Sequence, residues 1–249
     1  MDHPSQSAPQ RSIIIPVLDF SPHSPYNIRT LLDELTSQAG EVICIFNSPR
    51  VFAELKDHPR IDKYCFNKQN AGVPRSWNQG IDLAEGRSWF ILNADLHLEP
   101  GCLDRLEEYL FSLEDAAVVG PQGSILDFKQ LKVVRYFQKG RFHQPVQTHD
   151  VSGFLFALHA ERCAAAGIRF DNRYSPCQME EWDLGLQVLQ AGLRCYAVPV
   201  GGFEHHWGVS NRPPETELEY FGRKVRLGEV LRDNRAKFRR KWRHLLEEL

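Results

Sequence analysis

The 249-residue chain has no apolar run approaching the roughly 20 residues that a membrane-spanning helix needs. Residues 1–10 are polar, contain Pro and Ser, and lack the apolar centre of a secretory signal. Residues 1–11 are therefore expected to be a disordered tail, and the chain is expected in the cytoplasm. The six cysteines form no CxxC pair, and several sit in apolar stretches. Buried reduced thiols are expected rather than a disulfide framework. No GxGxxG follows the first apolar run, where Pro16-Val17-Leu18-Asp19 stands instead, so a dinucleotide-dependent dehydrogenase is disfavoured. No Gly-Lys-Ser/Thr occurs, which excludes a P-loop. Residues 16–25 contain no Lys or Arg, against the basic Gly-rich loop of a nucleotidyltransferase. A net charge of −2 gives no general attraction to nucleic acid, and no such partner is expected.

What is present is an alternation of short β-branched apolar runs with helical patterns. Residues 12–18 and 41–46 read as buried strands, and 63–66 and 88–92 as further strands. Between them, Ile28, Leu31, Leu32 and Leu35, then Trp77, Ile81 and Ala84, recur at helical spacing. Pro74 suits a first helical turn. Residues 116–119, 153–158 and 194–199 read as further strands, and 180–191 as a helix stopped by Gly192. The pattern weakens over 121–150, where 132–137 reads as an edge strand. These features imply an α/β fold with a mainly parallel central sheet and helices on both faces. Functional loops then lie at the C-terminal strand ends, near Val17, Asn47, Phe66 and Asn93.

Four constellations carry chemistry. Asn93-Ala94-Asp95-Leu96-His97 follows a strand, and a carboxylate there is a hard oxygen ligand for Mg²⁺ or Mn²⁺. The same residues also suit a turn before Pro100-Gly101. Glu180-Glu181-Trp182-Asp183 opens a helix, where acids complement the helix dipole or place a general base in a cleft. Glu204-His205-His206 brings two imidazoles, which suit transition metals. Asn70-Ala71-Gly72 through Arg75 to Asn78-Gln79-Gly80 sets a helix N-terminus and a guanidinium where an anion can bind. The segment 232–243 is basic, with an amphipathic stripe that includes Leu231, Phe238 and Trp242; it suits packing on the core with a solvated cationic face, or contact with an anionic membrane surface.

In this order and spacing the segments resemble glycosyltransferase family 2, the inverting enzymes of GT-A fold, with the rhamnosyltransferase-like branch nearest. The resemblance runs over residues 12–210. It implies one GT-A domain over 12–220, followed by a basic amphipathic helix over 221–249 packed on it. It implies transfer of a sugar from a nucleotide-diphosphate donor to an acceptor hydroxyl, on a lipid-linked or polysaccharide glycan, in polysaccharide or glycoconjugate assembly. Residue by residue, Pro16, Val17, Asp19 and Asn47 match the nucleotide loops. Asn70, Gly72, Arg75 and Asn78 match the segment beside the donor, with Asn93, Ala94 and Gly153 near it. Asp95 matches the metal-binding aspartate, with His97 at the second acid of the DxD-type motif, and His205 or His206 matches a histidine at the metal or diphosphate. Glu181 matches the base position, usually Asp, with Glu180 as the alternative and Asp183 as the acid that follows. Mn²⁺ or Mg²⁺ is the implied cofactor. A silent sugar-nucleotide-binding module is the alternative, and a nucleotidyltransferase a more distant one.

Overall fold

Ile13, Ile14 and Ile15 are all fully buried, yet they feed two different cores. Successive strand side chains point to opposite faces, so a strand buried on both sides must be apolar throughout. This strand, β1 (Arg11–Val17), pairs in parallel with β2 (Glu41–Phe46) on one side and β4 (Ser88–Leu92) on the other; β3 (Lys63–Phe66) lies beyond β2. The structure, a computed structural model, describes residues 10–20, 23–205 and 212–248. The main sheet continues through β11 (Leu155–His159), β6 (Ala116–Gly120), β12 (Arg194–Ala197) and β9 (Val146–Thr148), in the order β3-β2-β1-β4-β11-β6-β12-β9. β11 is antiparallel to both its neighbours, and β9 to β12.

One face is covered by α1 (Ile28–Glu34), α2 (Pro49–Leu55) and α4 (Cys102–Ser112), through Leu31, Val51, Leu103 and their neighbours. The other carries α3 (Val73–Leu83), α5 (Ala160–Ala165) and α6 (Glu180–Gln190), through Trp77, Cys163 and Leu184. Each fully buried isoleucine or leucine contributes about 1.5–3 kcal/mol, so the two cores stabilise the sheet heavily. All six cysteines are free, as their spacing implied.

Smaller sheets decorate this frame. β5 (Leu96–Leu98) pairs with β13 (Phe203–His205), and β7 (Gly123–Asp127) lies between β8 (Lys132–Phe137) and β10 (Asp150–Val151). The C-terminal region is more than the single helix expected over 221–249. A hairpin, β14 (Glu217–Tyr220) and β15 (Arg223–Arg226), precedes α7 (Leu227–Lys241) and α8 (Arg243–Glu248). Phe238 and Trp242 bury against Leu126, Tyr174, Met179 and Leu186 in a third apolar cluster. The outer side of α7 is cationic, and Lys129, Arg239, Arg240 and Arg243 line a surface groove of about 530 Å³ there. Among the described residues no helix is long and apolar enough to cross a membrane.

Candidate functional site

The strand order reverses between β1 and β4: the chain leaves β1 toward β2 on one side and returns as β4 on the other. Loops leaving these two strands diverge, and the crevice between them is where open α/β sheets bind ligands. Val17, Asp19, Asn93, Ala94 and Asp95 all lie there. Pro16 is inside β1, opposite Ile45. Asn47, 5% exposed, organises the β2 side of the crevice. Its N–H donates to Val17 O at 2.7 Å, and its Nδ2 to Ser76 Oγ at 2.9 Å. Its Oδ1 accepts from Ala71 N and Asn67 Nδ2, each at 3.1 Å. One side chain thus ties β2 to the entry of α3. Asp19 is exposed and accepts from Arg50.

At the end of β4, Asp95 Oδ1 and His205 Nε2 are 3.4 Å apart. The β5–β13 pairing sets this approach by placing His205 opposite Leu96. The His205 ring stacks on Phe154, centroids 4.5 Å apart at 9°. Asn93 Nδ2 lies 3.3 Å from the same Nε2, and the His205 tautomer sets which of the two donates. One carboxylate oxygen and one imidazole nitrogen this close make a donor set that fits a divalent cation such as Mn²⁺. His97 is held elsewhere: its Nδ1 is 2.6 Å from Glu34 Oε1, and its ring stacks on Tyr26. Glu34 Oε2 also accepts Leu98 N at 2.8 Å, so this pair fastens β5 to α1. His206 lies outside the described residues. Among the described residues no group of three or more His, Cys, Asp or Glu side chains is placed to hold a metal.

The segment 153–154 joins this pair to the acidic helix start. Phe154 O accepts Asn93 N at 2.8 Å, while the Gly153 N–H donates to the Glu181 carboxylate. A Cβ at Gly153 would collide with Glu181 Oε1 and crowd the Trp77 ring, so glycine here leaves room for the Glu181 carboxyl. Burial, then the charge of Glu180, and then that of Asp150 raise the Glu181 pKa well above 4.5. Burial pushes Glu180 up to about 7 and Asp150 up to about 6, although Ser124 donates to Asp150 through both Oγ and N. Carboxyls pushed toward neutrality in a crevice suit general-base work.

The loop entering α6 is strained. Gln178 and Met179 both adopt φ 80°, a left-handed geometry that costs about 1–2 kcal/mol per non-glycine residue. At the entry of α3, Gly72 has φ 84° and its backbone abuts Pro176 of this loop. Seven buried side-chain polar atoms lack a hydrogen-bond partner among the described residues, and four of them gather here: Arg75 Nε, Trp77 Nε1, Ser175 Oγ and Glu180 Oε2. Orphaned polar atoms concentrated in one place point to a polar ligand or ordered water. Arg75 forms no ion pair among the described residues, and its guanidinium lies 5.8 Å from the Phe221 ring centroid at the hairpin tip. Asn70 straps that hairpin down: its Nδ2 donates to Glu219 O at 2.7 Å and its carbonyl accepts Phe221 N at 3.1 Å.

Besides His97, two expected site residues face away from this crevice. Asn78 binds the 169–172 segment, donating to Phe170 O at 2.7 Å and to Asn172 Oδ1 at 3.0 Å. Asp183 is fully buried and accepts from Lys241 Nζ and Trp242 Nε1, each at 2.7 Å, from Tyr174 Oη at 3.1 Å and from Gln187 Nε2 at 2.7 Å. With both oxygens engaged it is an anchor for the C-terminal helix, not a proton acceptor for substrate. Asp183→Asn is expected to lower unfolding free energy by about 3 kcal/mol, because a fully buried acceptor shared by Lys241, Trp242, Tyr174 and Gln187 loses its charge and one of its acceptor oxygens; a denaturant titration measures this. Sequence reasoning missed Phe154, Asp150 and Glu34. Asp150 carried one signal, an isolated acid just before a core strand.

Residues 12–163 match the sequence model of the family described as Glycosyl transferase family 2. No curated protein sequence matches the chain. Among solved structures, the crystal structure of GalNAc-T7 with UDP, GalNAc and Mn²⁺ superposes with a TM-score of 0.68 at 14% identity, covering 95% of this chain and 48% of that one. The mannosyltransferase PcManGT from Pyrobaculum calidifontis, in complex with GDP-Man and Mn²⁺, gives 0.51 at 15% identity, covering 76% of this chain and 54% of that one. The chain thus spans about half the length of these two proteins, and what it shares with them is the GT-A fold.

Proposed function

Because the chain belongs to glycosyl transferase family 2, we propose that it moves a sugar from a nucleotide-diphosphate donor to an acceptor hydroxyl by direct displacement with inversion. The supporting observation is the 153–154 segment, which holds the Asp95–His205 pair at one end and Glu181 at the other on one sheet edge.

Asp95 and His205 would hold a divalent cation, with further ligands from the donor diphosphate. When bound, such an ion supplies Lewis-acid neutralisation of the leaving diphosphate. Glu181 takes the proton of the acceptor hydroxyl as that oxygen bonds to C1 and the C1–O bond to phosphate breaks. Glu180 and Asp150 raise the proton affinity of Glu181, which makes it a stronger base once ionised. The loops after β1 and β2 receive the nucleotide, and Asn47 fixes their relative position. Arg75 faces a phosphate oxygen beside the N-terminus of α3, a place that favours negative charge.

Incubation with UDP- and GDP-linked sugars and Mn²⁺, followed by detection of free nucleotide diphosphate, tests the proposal. Release with inverted anomeric configuration supports it. Binding without any release, even on long incubation, leaves only a silent binding module. Arg75→Ala is expected to weaken the affinity for nucleotide diphosphate about tenfold, from loss of one charge-assisted contact, with no loss of fold. Calorimetric titration reads this directly, and unchanged affinity removes Arg75 from the donor site.

A further inference from the structure

Asn234 of α7 is 1% exposed, and its amide nitrogen reaches three backbone carbonyls: Tyr174 at 2.8 Å, Cys177 at 2.9 Å and Gln178 at 3.0 Å. Its Oδ1 accepts from Lys237 Nζ at 2.8 Å, and Lys237 also donates to Arg173 O at 2.7 Å. Tyr174, Cys177 and Gln178 lie in the 174–179 loop that delivers Glu180 and Glu181, and Arg173 directly precedes it. Past those residues the same helix ends in Lys241 and Trp242, which hold Asp183. Lys241 also meets Asp171 at 3.0 Å, before the loop. The loop is therefore gripped at its start, along its middle and one residue after Trp182.

A polar grip is not needed merely to attach α7. Phe238 and Trp242 already bury it against Tyr174, Met179 and Leu186. Asn234 instead spends its bonds on carbonyls that no strand or helix ladder satisfies. Those carbonyls sit in and beside the two left-handed residues, where the chain would otherwise relax. Both the loop and its grip lie beyond residue 163, outside the part of the chain that matches the family model.

We infer that Asn234 is a positioning residue for the reaction: it holds the 174–179 loop in the strained form that sets the Glu181 carboxyl against the Gly153 N–H. The inference rests on the proposed role of Glu181. The mechanism is geometric, since a misplacement of about 1 Å can lower a rate about a hundredfold.

Asn234→Asp keeps the side chain's shape and removes its donors. In the full chain its transfer turnover is expected to fall about a hundredfold, while affinity for UDP or GDP with Mn²⁺ stays within about threefold. Hydrogen exchange of amides 174–183 is expected to accelerate. Lys237→Met, at a half-buried position whose loss opens no core, is expected to change both readouts in the same direction by about tenfold, and decides the matter should Asn234→Asp not fold. Unchanged turnover in a folded variant overturns the inference, as does a parallel loss of turnover and nucleotide affinity, which marks general damage. Were the native chain to transfer nothing, the function proposal would fall, and the exchange rates would still report whether Asn234 holds the loop.

Discussion

Glu181→Gln is expected to lower sugar transfer by about 10²–10⁴-fold while nucleotide diphosphate binding stays intact, the range that one positioned general base contributes. The amide keeps the size of the carboxyl and can still accept the Gly153 N–H, so the local fold persists. Turnover against binding is the decisive pair of measurements: unchanged turnover moves the base to Glu180, and lost binding shows that the side chain holds the donor instead. The pH profile adds an independent check. The base works ionised, so activity rises with pH through the raised Glu181 titration, and the acid limb lies well above the ordinary 4.5. The charged and titratable groups around Glu181 are Glu180 on its own helix, Asp150 on β10, Tyr136 on β8 and Cys177 in the preceding loop. Removing one of those like charges with Glu180→Gln is expected to move the limb to lower pH.

The same substitution changes stability with a definite sign. Burial pushes Glu180 up to about 7, so the native state holds this proton more tightly than the unfolded chain does. That contribution to stability is complete below about 4.5 and is lost as pH rises through about 7. Glutamine stays neutral throughout. Glu180→Gln is therefore expected to raise the melting temperature by roughly 5 °C at pH 8.5 and by less at pH 5. An equal gain at both values would show that the buried charge is not the cause.

Asp95→Asn is expected to lower transfer about 10³-fold and to abolish the extra thermal stabilisation that Mn²⁺ adds to UDP or GDP binding. The carboxylate is half-exposed and sits in the turn just before β5, outside the packed core, so the fold should survive its neutralisation. Retained Mn²⁺-dependent stabilisation in the variant would remove Asp95 from the metal site. His97→Gln is the useful contrast. Its partner is Glu34 on α1, so the expected effect is loosening of β5 with a much smaller loss of turnover.

The central strands were legible because burial on both faces forces an unbroken apolar run, and a sequence such as Glu41–Phe46 leaves little else to read. β11 was visible as a strand, but its antiparallel direction was not, because direction is set by how the chain returns and not by composition. β5, β13 and the 217–226 hairpin were missed for a different reason. They are three or four residues long, too short to show a period of their own, and the hairpin is largely exposed as well, so their partners define them more than their own side chains do. At the site, Asp95 and Glu181 could be located through motif order. Orientation could not be read: Asp183 and His97 stand at the right spacing, yet tertiary partners turn them elsewhere. Asn234 offers no local signal at all, because its meaning comes from carbonyls some sixty residues earlier.

The grip of α7 on the 174–179 loop also sets an order of events in biosynthesis. A ribosome delivers the β1–β4 crevice and the Asp95–His205 pair well before residues 234–242, and N-terminal parts begin to fold first. A nascent chain that has reached the end of β13 thus holds the crevice strands while Glu181, the proposed proton acceptor, still lacks the helix that grips its loop. On the proposed chemistry, transfer waits for α7 to dock on the 174–179 loop.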